Sequence, residues 1–267
     1  MSEKDQNLYD EILRFLEYER EVYGPFVIPE SQPGQPAEET SEAVKPRPEL
    51  KSSEPYSSSG QGEKSAVIEE PESLSLEQQL QSCSSLDELE LLCKEAEELR
   101  TDLPDTNLVF GVGNPKANLM LVGEAPGAEE DKQGEPFVGP AGQLLNKILK
   151  AIDFDRDDVY IANILKHRPP GNRNPNPDER LRSLPYLFRQ IELISPKIIL
   201  CLGRVSATTL LKKEDSLRNL RGSFYPFHGA ELTVTYHPAA LLRNPQWKRP
   251  TWEDVQMVRT RYDELIR

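Results

Sequence analysis

Cysteine and histidine are scarce, with three of each in 267 residues. Cys83, Cys93 and Cys201 are odd in number and widely spaced. That argues against a disulfide framework and against a CxxC metal knuckle, and predicts free thiols in a reducing compartment. His167, His228 and His237 supply no histidine-rich metal site. No apolar run reaches the roughly 18–20 residues that a membrane span requires, and the opening MSEKDQNLYDEIL has neither the basic start nor the apolar stretch of a secretory signal. The expectation is a soluble cytoplasmic monomer without membrane contact.

Positive charge is also short, with a formal net charge of −13. The deficit is local. Residues 1–85 hold 7 Lys and Arg against 18 Asp and Glu, whereas residues 160–267 hold 18 basic and 10 acidic residues. A basic C-terminal region on a near-neutral domain can follow a phosphate backbone while the acidic part stays in a separate segment.

Three regions follow from the patterning. Residues 1–28 open with Leu8, Ile12, Leu13, Phe15 and Leu16 near helical spacing and stop at Gly24-Pro25, a short amphipathic helix whose stripe would dock on the main domain or on a protein partner. Residues 29–84 are rich in Pro, Glu, Ser and Gln; such a segment cannot bury enough apolar area to offset chain entropy, and a disordered acidic linker is predicted. Residues 85–267 form the candidate domain. A helix is predicted from the Ser85 cap to about 99, then strand-like runs at 119–122, 159–164 and 197–202 alternate with helical patterns at 142–152, 177–194 and 205–211. Runs 224–227 and 232–236 make a hairpin-like or sheet-edge pair, and a final helix covers 251–266. This order predicts an α/β fold, a three-layer α/β/α arrangement around a mainly parallel sheet.

In open sheets of this sort ligands sit beyond the carboxyl ends of the strands, which is where the informative segments fall. After the first strand comes GEAPGAEEDKQGEPFVGPAG. The small residues Gly123, Ala125, Pro126 and Gly127 permit close backbone approach to a planar ligand, the turn presents N–H groups to a developing anion, and the glycine-flanked Phe137 can lie against a ring. Alone, such a loop is more often a plain turn. Asn163 closes the second strand, and its carboxamide matches the N–H and C=O edge of a pyrimidine. The basic loop after it carries Lys166, His167, Arg168 and Arg173, which would hold phosphates or be solvated. His237 follows the last strand, placed to donate to an oxygen gathering charge, and Leu241, Leu242 and Arg243 behind it would wedge into or grip a nucleic acid. Gly111-Val112-Gly113 lacks the third glycine of a dinucleotide fingerprint and is read as a turn, and the adjacent acids Glu129, Glu130 and Asp131 do not converge on one cation and are read as a solvated loop.

GEAPGAEED with GEPFVGPAG, YIANILKHRPPGNRNP and YHPAALLRNP, in that order over residues 86–267, closely resemble the uracil-DNA glycosylase superfamily, in particular its type-four branch. The resemblance implies a four-stranded parallel sheet sandwiched by helices, uracil-containing DNA as partner, and release of uracil from a flipped nucleotide to leave an abasic site. It assigns Glu124, Ala125 and Glu130 to the loop lining the base, Phe137 to stacking, Asn163 to selection, His237 to the base O2, and Leu241 and Arg243 to DNA contact. Ala125 stands where the best-known uracil-removing enzymes carry a water-activating aspartate, which leaves Glu124 or Glu130 for that task. That branch also holds a four-iron cluster through four cysteines. Here two of those places are His167 and Ser183, and Cys93 has no CxxC companion, so a cluster-free protein with no metal and no cofactor is expected. Other readings remain: a glycosylase for hypoxanthine or xanthine, a non-catalytic sensor of uracil in DNA, and, by resemblance to a related branch, a covalent adduct through His167.

Overall fold

The computed structural model describes residues 74–266. The amphipathic segment predicted over 1–28 and the linker up to residue 73 lie outside them. Four strands form the centre of the sheet: β2 (Leu119–Gly123), β3 (Tyr160–Asn163), β4 (Ile198–Leu202) and β6 (Ala230–Thr235). They run parallel in the order β3-β2-β4-β6, and β2, β3 and β4 are buried at every position. That burial explains their unbroken apolar sequences, since a parallel strand covered on both faces has no polar side to alternate with.

The predicted four strands are six. β1 (Val112–Gly113) joins β3 and β5 (Tyr225–Phe227) joins β6, both antiparallel, at the two edges. The stretch read as a turn at residues 111–113 is thus partly an edge strand. Two residues are too few to display a period of two. The sheet-edge pair predicted at residues 224–236 is present as β5 and β6.

Two helical layers cover the sheet. On one face Leu119, Leu121, Ile161, Ile198 and Leu200 pack with residues of α4 (Pro140–Ala151) and α9 (Lys248–Ile266). On the other Met120, Val122, Ala162, Ile199 and Cys201 pack with α5 (Pro177–Ile194) and α6 (Arg204–Leu211). Neighbouring residues of one strand enter opposite cores, as the pleat demands. Further short helices are α3 (Ala128–Gln133), α7 (Leu217–Leu220) and α8 (Pro238–Arg243), the last of which turns the chain directly after β6.

A helix also lies where the predicted linker ended. α1 (Leu76–Ser82) begins at a capping box, with Ser75 Oγ accepting from Gln78 N–H and Gln78 Oε1 from Ser75 N–H. Two orphan amides of the first turn are thereby satisfied. With α2 (Leu86–Glu95), α1 buries Leu80, Cys83, Leu89 and Cys93 against Tyr186 of α5 and Leu99. The polar composition around this helix hid it. Among the described residues no helix is long and apolar enough to cross a membrane.

Candidate active site

The parallel ladder brings four strand ends to one edge. Gly123 is in register with Asn163, and Leu202 with Thr235. Beyond β6, Thr235 Oγ1 donates to the buried Asp254 of α9, whose carboxylate also accepts two bonds from Arg221 at 2.6 and 2.9 Å. This network anchors the strand two residues before His237. Gly203, after β4, has φ 99°, and a Cβ built there would lie 3.0 Å from the Cβ of His237. Only glycine leaves the histidine its place.

Over this edge opens a cleft of about 350 Å³, lined by Glu124, Ala125, Pro126, Gly127, Glu130, Phe137, Asn163, Arg173, His237 and Arg243 among others. Its size is that of a small-molecule site. The rings of Phe137 and His237 lie 5.5 Å apart between centroids at 31°. A Cβ on Gly123 would stand 2.3 Å from Asn163 Oδ1 and 2.6 Å from Phe137 Cζ, so a side chain there would displace both. The motif glycine is a spacer beside the Phe137 ring and the Asn163 amide.

Asn163 is 1% exposed, and its Oδ1 is fully buried without a hydrogen-bond partner. Burying an acceptor unpaired costs about 1–3 kcal/mol, a cost that a ligand N–H would remove. His237 caps α8, its Nδ1 accepting from Ala239 N–H at 3.1 Å, which leaves the ring proton on Nε2. Burial, aided by the Arg243 charge, pushes its pKa down to about 4, and the imidazole is neutral at ordinary pH. Burial raises the pKa of Glu124 against the pull of Arg180, and its carboxylate makes no hydrogen bond among the described residues.

Glu130 differs from expectation. Its Oε2 accepts from Gly127 N–H at 3.2 Å, and its Oε1 from Val138 and Gly139 N–H at 2.9 and 3.0 Å. A carboxylate spent on three amides organises the loop and has little capacity left to activate water. With Pro126 lacking an N–H and Gly127 committed to Glu130, the loop's donors narrow to Glu124 and Ala125.

The basic loop is also corrected. Lys166 is wholly buried, donating to the carbonyls of Phe110 and Asn163 at 3.2 and 3.1 Å and to Gln190 Oε1. It grips the end of β3 from inside and reaches no phosphate. His167, 4% exposed, pairs through Nδ1 with Thr106 Oγ1 at 3.0 Å and borders a different cavity, together with Arg100 and Lys132. Arg168 binds Asn172 Oδ1 and lies off the cleft. Arg173 lines the cleft while held by Glu179 and Asp102. Leu241 is 2% exposed within the core, and Leu242 packs on the same core half-buried. Burial removes Leu241 as a wedge, whereas Arg243 is exposed at the rim. Asn174, Ala141 and Ala239 line the cleft and were not singled out from the sequence; small or amide side chains give no charge or periodicity signal.

The corner implied for an iron–sulfur cluster does not fit one. Cys93 is 1% exposed among apolar residues, where burial pushes its thiol up to about 12, far from the thiolate a metal requires. Ser183 is buried and the His167 imidazole is engaged by Thr106. No three His, Cys, Asp or Glu among the described residues are grouped to hold a metal ion.

The model of the uracil-DNA glycosylase superfamily matches residues 110–256, which include every strand end described above. Type-4 uracil-DNA glycosylases of Sulfurisphaera tokodaii and Archaeoglobus fulgidus are 47% and 45% identical, over 58% and 57% of this chain and 74% and 81% of theirs. A type-5 uracil-DNA glycosylase of Thermus thermophilus is 31% identical over 54% of this chain and 74% of its own. A parallel sheet whose strand tips carry an amide and an imidazole thus coincides with the matched span, and the chain belongs to the uracil-DNA glycosylase superfamily.

Proposed function

We propose that the protein is a uracil-DNA glycosylase, hydrolysing the N-glycosidic bond of deoxyuridine in DNA to release uracil and leave an abasic site. The unpaired Oδ1 of Asn163 carries the reading. Uracil offers N3–H to that oxygen and O4 to the neighbouring Nδ2. Cytosine presents an acceptor at N3 and a donor at C4, so both contacts would oppose. Selection against the undamaged base, which the reaction demands, therefore resides in one side chain.

The flipped base lies against Phe137 with its O2 toward His237. As the bond from N1 to C1′ lengthens, the sugar becomes oxocarbenium-like and negative charge collects on the uracil. The neutral imidazole donates its Nε2–H to O2, and the Glu124 and Ala125 amides face the same charge. A neutral donor gains strength as O2 becomes anionic without contributing a positive charge to the ground state. Water then captures C1′, and Glu124, whose carboxylate has no bond of its own, orients it. Arg243 at the rim holds a phosphate of the extruded strand. Free thiols accord with a cytoplasmic setting.

The 267-residue chain incubated with uracil-containing oligonucleotides yields free uracil and alkali-labile abasic sites. Asn163→Ala and His237→Ala each lower the single-turnover rate by about 10²-fold or more, the scale of one oxyanion contact. Near-normal rates in both variants, or release of hypoxanthine or xanthine in preference to uracil, reject the assignment. DNA binding without release of base identifies a sensor instead.

A further inference from the structure

Phe137, the plate on which the proposed function rests, has a backbone that few side chains adopt. Its φ is 54°, in the left-handed region, and its carbonyl oxygen lies 1.8 Å from where a Cβ on Gly142 would stand. Such strain persists only where the surroundings over-determine the conformation. Here the bracing comes from two ionic side chains on opposite sides of the segment 136–139.

Arg156 lies in the turn before β3. Its Nη1 donates to Phe137 O at 3.3 Å and to Asn146 Oδ1 at 3.1 Å, and its Nη2 donates to Pro136 O. Glu130 accepts the N–H groups of Val138 and Gly139. The carbonyls of one half of the segment are thus held by a cation and the amides of the other half by an anion. Arg156 makes no ion pair within 4 Å among the described residues, and its partners are two backbone oxygens and one side-chain amide. A half-buried guanidinium costs desolvation, which the nearby charges of Glu135, Asp157 and Glu130 offset only in part. Burial accordingly lowers its pKa. What that charge produces is the fixed orientation of the two peptides that flank the Phe137 Cα.

We propose that Arg156 is a positioning residue for uracil excision: its guanidinium fixes the left-handed backbone of Phe137, and through it the ring that bounds the base. This assignment rests on the reading of Phe137 as the stacking plate. Arg156 touches neither base nor sugar, so its whole effect passes through Phe137.

Coupling tests this directly. Single-turnover cleavage of a uracil oligonucleotide, and its inhibition by free uracil, are measured for Arg156→Met, Phe137→Ala and the double variant in the full chain. Misplacing the plate by about 1 Å lowers the Arg156→Met rate by up to about 10²-fold and weakens inhibition by uracil. In the Phe137→Ala background the same change costs no more than about twofold, the scatter expected when the shared partner has been removed. Arg156→Lys, which can reach one carbonyl, recovers part of the loss. It also carries the comparison if Arg156→Met does not fold. Equal fold-losses in both backgrounds, or an unimpaired Arg156→Met, overturn the assignment while leaving Phe137 in place. Full activity of Phe137→Ala overturns the plate and Arg156 together.

Discussion

At the scale of single residues the cleft sets the Asn163 amide and a neutral imidazole beside the Glu124 carboxyl, and burial shifts the protonation of His237 and Glu124. His237 has a pKa of about 4 against an ordinary 6.5, so the native state binds its proton less readily than the unfolded chain does. Stability therefore rises with pH between about 4 and 6.5 and is level with respect to this group above that window. In His237→Asn that part of the pH dependence, followed by thermal unfolding, disappears. The same depression means that the rate profile of the intact enzyme has no ionisation of His237 near neutrality. Glu124 moves the other way, its pKa raised by burial, and the acid limb of the rate profile lies above the ordinary carboxylate range. Glu124→Gln abolishes that limb and lowers the plateau; an unchanged limb assigns it to another group. Phe137, Asn163 and His237 were legible in the sequence because each occupies the end of a recognisable strand or the loop beyond it. Glu130 was misread because its partners are backbone amides of Gly127, Val138 and Gly139, which no side-chain pattern signals, and Lys166 and Leu241 because Phe110, Gln190 and the packed core that bury them are distant in the chain.

Among elements, β3 and the start of α4 bear most on the site. The Lys166 ammonium ties the end of β3 to Gln190 of α5 and to the Phe110 carbonyl, using three donors on three acceptors. Lys166→Met removes the donor to Gln190 Oε1 and to the Asn163 carbonyl, both buried, while the Phe110 carbonyl keeps its bond from Gln190 Nε2 at 3.1 Å, and denaturant titration should show a loss of about 2–5 kcal/mol. No loss would mean the acceptors find other partners. Gly142→Ala places a methyl on the Phe137 carbonyl, 1.8 Å from its oxygen, so the first turn of α4 must shift. Cleavage falls with it, and the melting temperature drops by several degrees, the size expected for roughly 1–3 kcal/mol of overpacking. The central strands were readable as apolar runs between helical patterns. The edge strands were not equally so, since β1 spans two residues and takes its partner from a strand about 48 positions later, a pairing register that no local pattern encodes. α1 was missed for a related reason: its capping box sits in polar sequence, and only Leu80 of the helix is buried.

Over the whole molecule, charge is divided along the chain. Residues 1–85 account for −11 of the net −13, whereas residues 160–267, which supply Asn163, His237 and Arg243 to the cleft, hold 18 basic and 10 acidic residues. Acidic sequence on the same chain as a DNA site opposes the phosphate backbone at low ionic strength and is screened at high. A chain beginning at Leu74 is expected to cleave uracil oligonucleotides with a single-turnover rate within about threefold of the full protein, because every cleft residue lies between Glu124 and Arg243. Its DNA affinity should be higher at low salt and converge with that of the full chain as salt rises. Equal affinities at all salt concentrations would show that the acidic segment does not act on the DNA. The sheet order has a further consequence for what the site can accommodate. Asn163 and His237 extend from strands separated by three lateral steps, β3 to β2 to β4 to β6, roughly 14 Å of backbone at about 4.8 Å per step. Hydrogen-bonded ladders do not stretch, so the gauge of this track is set before any side chain is chosen. Admitting a bicyclic base would have to come from the one wall that is not strand, the braced segment carrying Phe137, which makes that segment the adjustable jaw of an otherwise rigid vice.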